Sequence, residues 1–462
     1  MNYLKYLSAL SKCCAVAAVS MGLAASSYGA SQETVLHTFT NGSDGSLPFS
    51  GLTIDAKGNL YGTTDTGGTG EFADGTVFKL TPKAGGGFTF QTIHTFSQAA
   101  GDGGNPAGSV VLDAAGNIYG TTSHGQIGGC GIVYELSPTK SGGWKETILH
   151  KFRGNEDGCN SSGFVIFDGA GNLFGATASG GGGLNNVFCC DHGCGTVFEL
   201  TRMANGKFTE KVIHRFTGEN ADGRNPLGGL VFDKSGNLWG TTQVGGESKS
   251  AACGGVARLC GTVFELTPNT NGTWTESTLF SFTGNTTGTN PVTNLVIDQE
   301  GNLYGTTVNG GPSLEGLVFK LTPQGDGKVK ESIVHDFGSG ACCTDGIHPF
   351  NGLTIDAAGN LYGAVQSGGG ASNACTGGFV DVGCGVVYKL TPNAGKTNWE
   401  ETILYAFFGS SDGASPLDDH VAVDANGNVF GSAAAGGDFD INQTHCVGNL
   451  PGGCGVVFEV QP

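Results

Sequence analysis

The chain has 462 residues, 40 acidic and 22 basic, for a formal net charge of −18. So acidic a surface repels phosphate backbones and excludes nucleic acid as a natural partner. Only 13% of residues are charged while 84 are glycine, yet the apolar runs stay regular; this excludes a disordered tail and suits a turn-rich all-β protein.

Residues 1–30 read as a secretory leader: Lys5 and Lys12 make the basic start, Cys13 to Ala25 the apolar run, and Ser27 to Ala30 the small cleavage region. An apolar run this short is a poor membrane span, and no later stretch is continuously apolar for long enough. The expectation is an exported domain over 31–462 with no membrane attachment. Without Lys5 and Lys12 its charge becomes −20.

The exported part begins with a lone strand, Glu33 to Phe39, followed by seven copies of one pattern. Each copy has a short apolar run, Asp-x-x-Gly-Asn, an aliphatic and an aromatic residue, then a later Val-aromatic-Lys/Glu-Leu/Val run. Their Gly-Asn pairs start at Gly58, Gly116, Gly171, Gly236, Gly301, Gly359 and Gly427. In the sixth copy, strands are predicted at Leu353 to Asp356, Asn360 to Val365, Val386 to Thr391 and Glu401 to Phe407. Four strands per unit, repeated seven times at this period, predict a seven-bladed β-propeller with four antiparallel strands per blade. The last copy stops after its third strand at Val460, so the N-terminal strand is expected to complete that blade and close the ring.

Repetition also assigns roles. Asp55, Asp113, Asp168, Asp233, Asp298, Asp356 and Asp424 recur at a tight turn, where a carboxylate accepts from backbone amides; a turn is needed seven times and a catalyst once. The Asp-Gly turns at Asp44, Asp102, Asp157, Asp222, Asp345 and Asp412 are read the same way, not as calcium ligands. His37, His94, His150, His214 and His335 share a fourth-strand position that is Phe280 or Tyr405 elsewhere, so they are expected to be packing histidines with satisfied nitrogens.

Segments such as Asp356-Ala-Ala-Gly-Asn-Leu-Tyr-Gly363 and Gly75-Thr-Val-Phe-Lys-Leu-Thr-Pro82 resemble the bacterial tandem repeats called GloVer repeats, found in exported proteins. The resemblance covers nearly all of residues 31–462 and implies an extracellular propeller-like array, with no family-wide activity or catalytic residues. With no sorting tail before Pro462, release into the medium or periplasm is expected over surface attachment.

The loops between second and third strands, and those between blades, should share one face, where binding or catalysis usually sits. Twelve or all thirteen cysteines of the exported part should map there. Five fill one slot before the third strand, and export predicts the pairs Cys253 with Cys260, Cys375 with Cys384, Cys446 with Cys454, Cys190 (or Cys189) with Cys194, and Cys130 with Cys159. Pairing of Cys189, Cys342 and Cys343 stays open. Cys189 to Cys194 includes His192 but lacks Cys-x-x-Cys spacing, so disulfide is read over zinc, and no metal or cofactor is assigned.

Residues that break the repeat are the candidates for chemistry. His420 stands where other copies are read to have Gly51, Ser109, Gly163, Gly229, Asn294 or Gly352, beside Asp418 and Asp419. His124 ends a second strand where others have Thr66 or Ser179; His348 and Arg224 lie in inter-blade loops. An imidazole beside a carboxylate can act as a general base, and an arginine can clamp an anion. Two functions follow. One is a secreted binding or scaffold protein recognising an extracellular polysaccharide or surface protein through disulfide-stapled loops, with His348, Arg224 and Asn294 as ligand contacts. The alternative is a polysaccharide-cleaving lyase or hydrolase with His420 or His124 as base and Asp418 or Asp419 assisting.

Overall fold

A computed structural model describes residues 31–69, 73–106, 108–125, 129–161, 163–182, 193–219, 221–247, 253, 260–325, 327–340, 343–370, 383–409, 411–417, 419–437 and 453–462. The predicted leader, residues 1–30, lies outside the described residues. The architecture is a seven-bladed β-propeller. Blade 1 comprises Thr53–Ile54, Leu60–Thr64, Thr76–Pro82 and Phe88–Thr95, and each later copy repeats this antiparallel order from the inside outward.

Blade 7 is assembled from both ends of the described chain. Gln32–Thr38 pairs with Val456–Gln461, with partners running from Gln32 opposite Gln461 to Thr38 opposite Val456. The expected closure is therefore the observed one: the first strand is the outermost strand of the last blade, and the ring has no open seam.

The turn between first and second strands is built as its residue types dictate. The Asp55 carboxylate accepts from Lys57 N (2.8 Å), Asn59 N (2.9 Å), Asn59 Nδ2 (2.7 Å) and Tyr61 Oη (3.2 Å). Gly58 supplies the positive φ of 77° that the turn needs. The backbone and asparagine bonds recur at Asp113, Asp356 and Asp424, the tyrosine bond at Asp113 and Asp356, and they hold the Asp55, Asp113 and Asp356 carboxyls below the ordinary range although burial opposes this.

Between blades the core is an aromatic ring of rings. The aromatic at the exit of each fourth strand meets the third-strand aromatic of the next blade edge to face: Phe96 with Tyr134 at 5.1 Å between ring centres, Phe337 with Tyr388 at 5.2 Å, and Phe407 with Phe458 at 5.1 Å. Phe39 on Phe78, at 5.3 Å, joins blade 7 to blade 1. Such pairs add about 0.5–1.5 kcal/mol each beyond the area they bury.

A bulge interrupts the pairing of third and fourth strands at one place in every blade, for example between Val77 and Phe78 in blade 1. The inserted residue, Ile93 there and Ile213 in blade 3, turns into the inter-blade core. By breaking the period-two alternation, the bulge lets the next residue, His94 or His214, also stand between blades.

Candidate binding face and central channel

The inter-blade and second-to-third-strand loops meet on one face through a ring of bridges: Ser46 with Thr66, Gly104 with His124, Cys159 with Ser179, Thr289 with Asn309, Ile347 with Ser367, and Ala414 with Ala435. In blade 4 the same place is a short ladder, Gly223–Arg224 with Val244–Gly245. His124 thus lies on the second-strand side of this bridge in blade 2, where blade 4 has Val244, and Arg224 lies on the inter-blade-loop side in blade 4, where blade 2 has Gly104. One step past this bridge the chain takes positive φ in every copy, at Leu47, Asn105, Asn160, Asn225, Asn290, His348 and Ser415. His348 is the blade 6 member, where asparagine is the residue that bears this conformation best. Its ring lies 3.5 Å from Glu315, and burial draws its pKa below the ordinary value.

Disulfide bonds brace this face. Cys130 bonds Cys159, with Cα atoms 4.3 Å apart, tying the entry of a third strand to the next inter-blade loop, and Cys253 bonds Cys260. Cys194, Cys384 and Cys454 are also disulfide-bonded. Their expected partners Cys190, Cys375 and Cys446 lie outside the described residues, as do Cys189, His192, Cys342 and Asp418.

At the axis, the residues four places before each turn aspartate converge. Counting back from Asp168 gives Phe164, not the Gly163 of the sequence alignment, and the structure places the Phe164 ring 5.9 Å from His420 across the channel. Asp419 sends its carboxylate to blade 2, accepting from Ser109 N (2.7 Å) and Ser109 Oγ (3.0 Å), while its carbonyl accepts from Gly352 N (2.6 Å). The channel leaves both residues some solvent contact yet encloses them in protein: burial pushes Asp419 up to about 6 and His420 down to about 4, so the imidazole is neutral at pH 7. His420 Nδ1 and Asn294 Oδ1 are buried without a hydrogen-bond partner among the described residues. Both line a cavity of about 580 Å³ that runs past Val110, Val296 and Leu353 to Asp55.

The structure therefore brings His420, Asn294 and Asp419 together at the axis and leaves His124, Arg224 and His348 on the rims of three separate blades. Sequence reasoning missed Ser109 and Phe164 as their partners, since contacts across the axis join positions 310 residues apart in the case of Ser109 and Asp419.

The model of a repeat family, the Gloeobacter/Verrucomicrobia repeat, matches residues 25–250 and 190–377, more than half of the chain. The chain belongs to this family. Among solved structures, this member of the Gloeobacter/Verrucomicrobia repeat family is similar to an ancestral GH74 enzyme (10% identity, 90% of this chain and 51% of that one, TM-score 0.49). It is also similar to a puromycin-hydrolyzing peptidase of Mycobacterium tuberculosis (9%, 84% and 50%, 0.46) and to a putative oxidoreductase (glucose dehydrogenase) of Thermus thermophilus (12%, 93% and 100%, 0.42). These likenesses extend no further than the propeller architecture. No curated protein matches the chain.

Proposed function

We propose that this repeat protein is an exported recognition propeller that presents disulfide-braced loops to an extracellular polymer, with hydroxyl-rich polysaccharide as the ligand class. One observation carries the reading: Cys130, Cys194, Cys260, Cys384 and Cys454, at one slot of five blades on one face, are all disulfide-bonded. Disulfides at this density suit an oxidising compartment, and loops held rigid before binding lose less entropy when a ligand arrives. The acidic surface and the wealth of Thr, Asn and Gly favour a neutral or cationic glycan over an anionic one. The catalytic alternative needs His420 or His124 as base with Asp418 or Asp419 assisting. Asp419 is engaged by Ser109, His420 packs by Phe164, and His124 stands on the rim of blade 2, so recognition is the better-supported reading.

The test is a panel of immobilised neutral and acidic polysaccharides, probed with tag-free protein before and after reduction. New reducing ends and unsaturated products are assayed in parallel. Saturable binding to a neutral or cationic glycan, weakened at least tenfold by reduction while the β-sheet circular dichroism persists, is expected. Product formation by the wild type that His420→Ala abolishes would overturn the reading in favour of a lyase or hydrolase.

A further inference from the structure

Among the described residues, three of the seven blade junctions bring an imidazole and two carboxylates together within 4.8 Å of one another. At the junction of blades 1 and 2, His94 Nε2 lies 3.5 Å from Asp102 Oδ2 and 4.0 Å from Glu146 Oε1. At blades 5 and 6, His335 Nε2 lies 3.6 Å from Asp345 Oδ2 and 3.5 Å from Glu401 Oε1. At blades 3 and 4, His214 Nε2 lies 3.7 Å from Asp222 Oδ1, with a Glu276 oxygen in the same cluster. In each trio the three ligand atoms fall within 4.8 Å of one another.

These separations exceed hydrogen-bond length. His94 Nε2, Glu146 Oε1, His214 Nε2, Asp222 Oδ1, His335 Nε2 and Glu401 Oε1 are all buried and have no hydrogen-bond partner among the described residues. The histidines expected to be satisfied are, in these three blades, not satisfied. Two of the aspartates are held in place with one oxygen left for the imidazole: Asp102 accepts from Ser97 N (2.8 Å) and Asp222 from Thr217 N (2.6 Å) through the oxygen turned away from the histidine, whereas in the third trio Asp345 Oδ2, the oxygen facing His335, itself accepts from Ser339 Oγ (3.3 Å). Fixing a carboxylate by its outer oxygen is how metal ligands are oriented.

Sister junctions show what the fold does otherwise. His150 closes on Asp157 to a hydrogen bond of 3.2 Å, and His37 does the same with Asp44, with Phe90 stacked on its ring in place of the glutamate. Tyr405 donates to Asp412 at 3.0 Å. At the junction of blades 2 and 3 all three ligand types are present, with Glu210 Oε1 buried and unpartnered among the described residues, but its imidazole is already closed on Asp157; at the three junctions above the contacts stand open. Ligands about 2.0–2.1 Å from a tetrahedral ion lie roughly 3.4 Å apart, close to the gaps found here. Two carboxylates and a neutral imidazole carry the charge that a divalent cation balances, and the imidazole selects a first-row transition ion over calcium.

We propose that His94–Asp102–Glu146, His214–Asp222–Glu276 and His335–Asp345–Glu401 are three equivalent binding sites for a divalent ion of the Zn²⁺ class, each linking two neighbouring blades and leaving one coordination position open. The test is titration of chelator-treated, tag-free protein with Zn²⁺ by calorimetry, with bound metal counted by mass spectrometry and Co²⁺ as an absorbing probe. Three equivalents per chain are expected, with a Co²⁺ spectrum free of thiolate charge transfer. Each of His94→Phe, His214→Phe and His335→Phe should remove one equivalent, and the triple variant all three. Phenylalanine occupies this position at Phe280, so the fold accepts it, and Glu146→Gln, Glu276→Gln and Glu401→Gln form a second, near-isosteric set with the same expected losses. Fewer than three equivalents in the wild type, a thiolate band, or binding retained by both triple variants would overturn the proposal.

Discussion

Glu33 stands on the strand that closes the ring, half-buried beside Asp412, with Oε1 lacking a hydrogen-bond partner among the described residues. Burial, then the neighbouring carboxylate, pushes its pKa up to about 7 from 4.5. A carboxyl whose pKa is higher folded than unfolded binds its proton more tightly in the native state. Its unfavourable contribution is therefore absent below about pH 4.5, grows between there and 7, and is complete above 7. Glu33→Gln, which mimics the protonated form, should raise the melting temperature at pH 8 and leave it nearly unchanged at pH 4 in paired thermal scans; equal effects at both pH values would refute this account. Nothing local marks Glu33 as unusual. The signal is its repeat position, the inter-blade place on the outermost strand that is also Glu146, Glu210, Glu276, Glu331 and Glu401, and its meaning depends on a neighbour in another blade.

At the scale of a strand, the innermost element of each blade is only two residues long, yet its approach decides how tightly the ring closes. A Cβ on Gly51 would stand 2.5 Å from His420 O and 2.8 Å from His420 N, both backbone atoms of blade 7. Backbone cannot swing aside, so Gly51→Ala should cost about 1–3 kcal/mol in urea denaturation. Gly85→Ala, where a Cβ meets nothing within 4 Å, should be neutral by the same measurement. The strand boundaries were readable from alternation and turn residues, to within a residue or two. The bulge before His94 was not, because an inserted residue leaves no mark in composition, and it is the bulge that carries the imidazole between blades.

For the whole molecule, the closure by Gln32–Thr38 removes the one pair of edges a linear array of blades would expose. It also sets Phe39 against Phe78 and so completes the aromatic contacts around the ring. A chain lacking residues 31–38 should melt at least 10 °C lower and self-associate through the freed edge of Val456–Gln461, as read by light scattering coupled to size exclusion. A monomer of unchanged stability would show that closure contributes little.

The amino-acid sequence by itself determined the copy number, the strand order, the turn chemistry and the cysteine slot, because each depends on residues close together in one repeat and was written again in copy after copy, the cysteine slot in five of the seven. The tertiary structure alone decided that Asp419 reaches Ser109 across the axis, that Phe164 faces His420, and that His335 meets Glu401 of the following blade with an open gap between them. Those contacts join different blades, and their geometry is set by ring closure and bulged register, quantities that no single repeat contains.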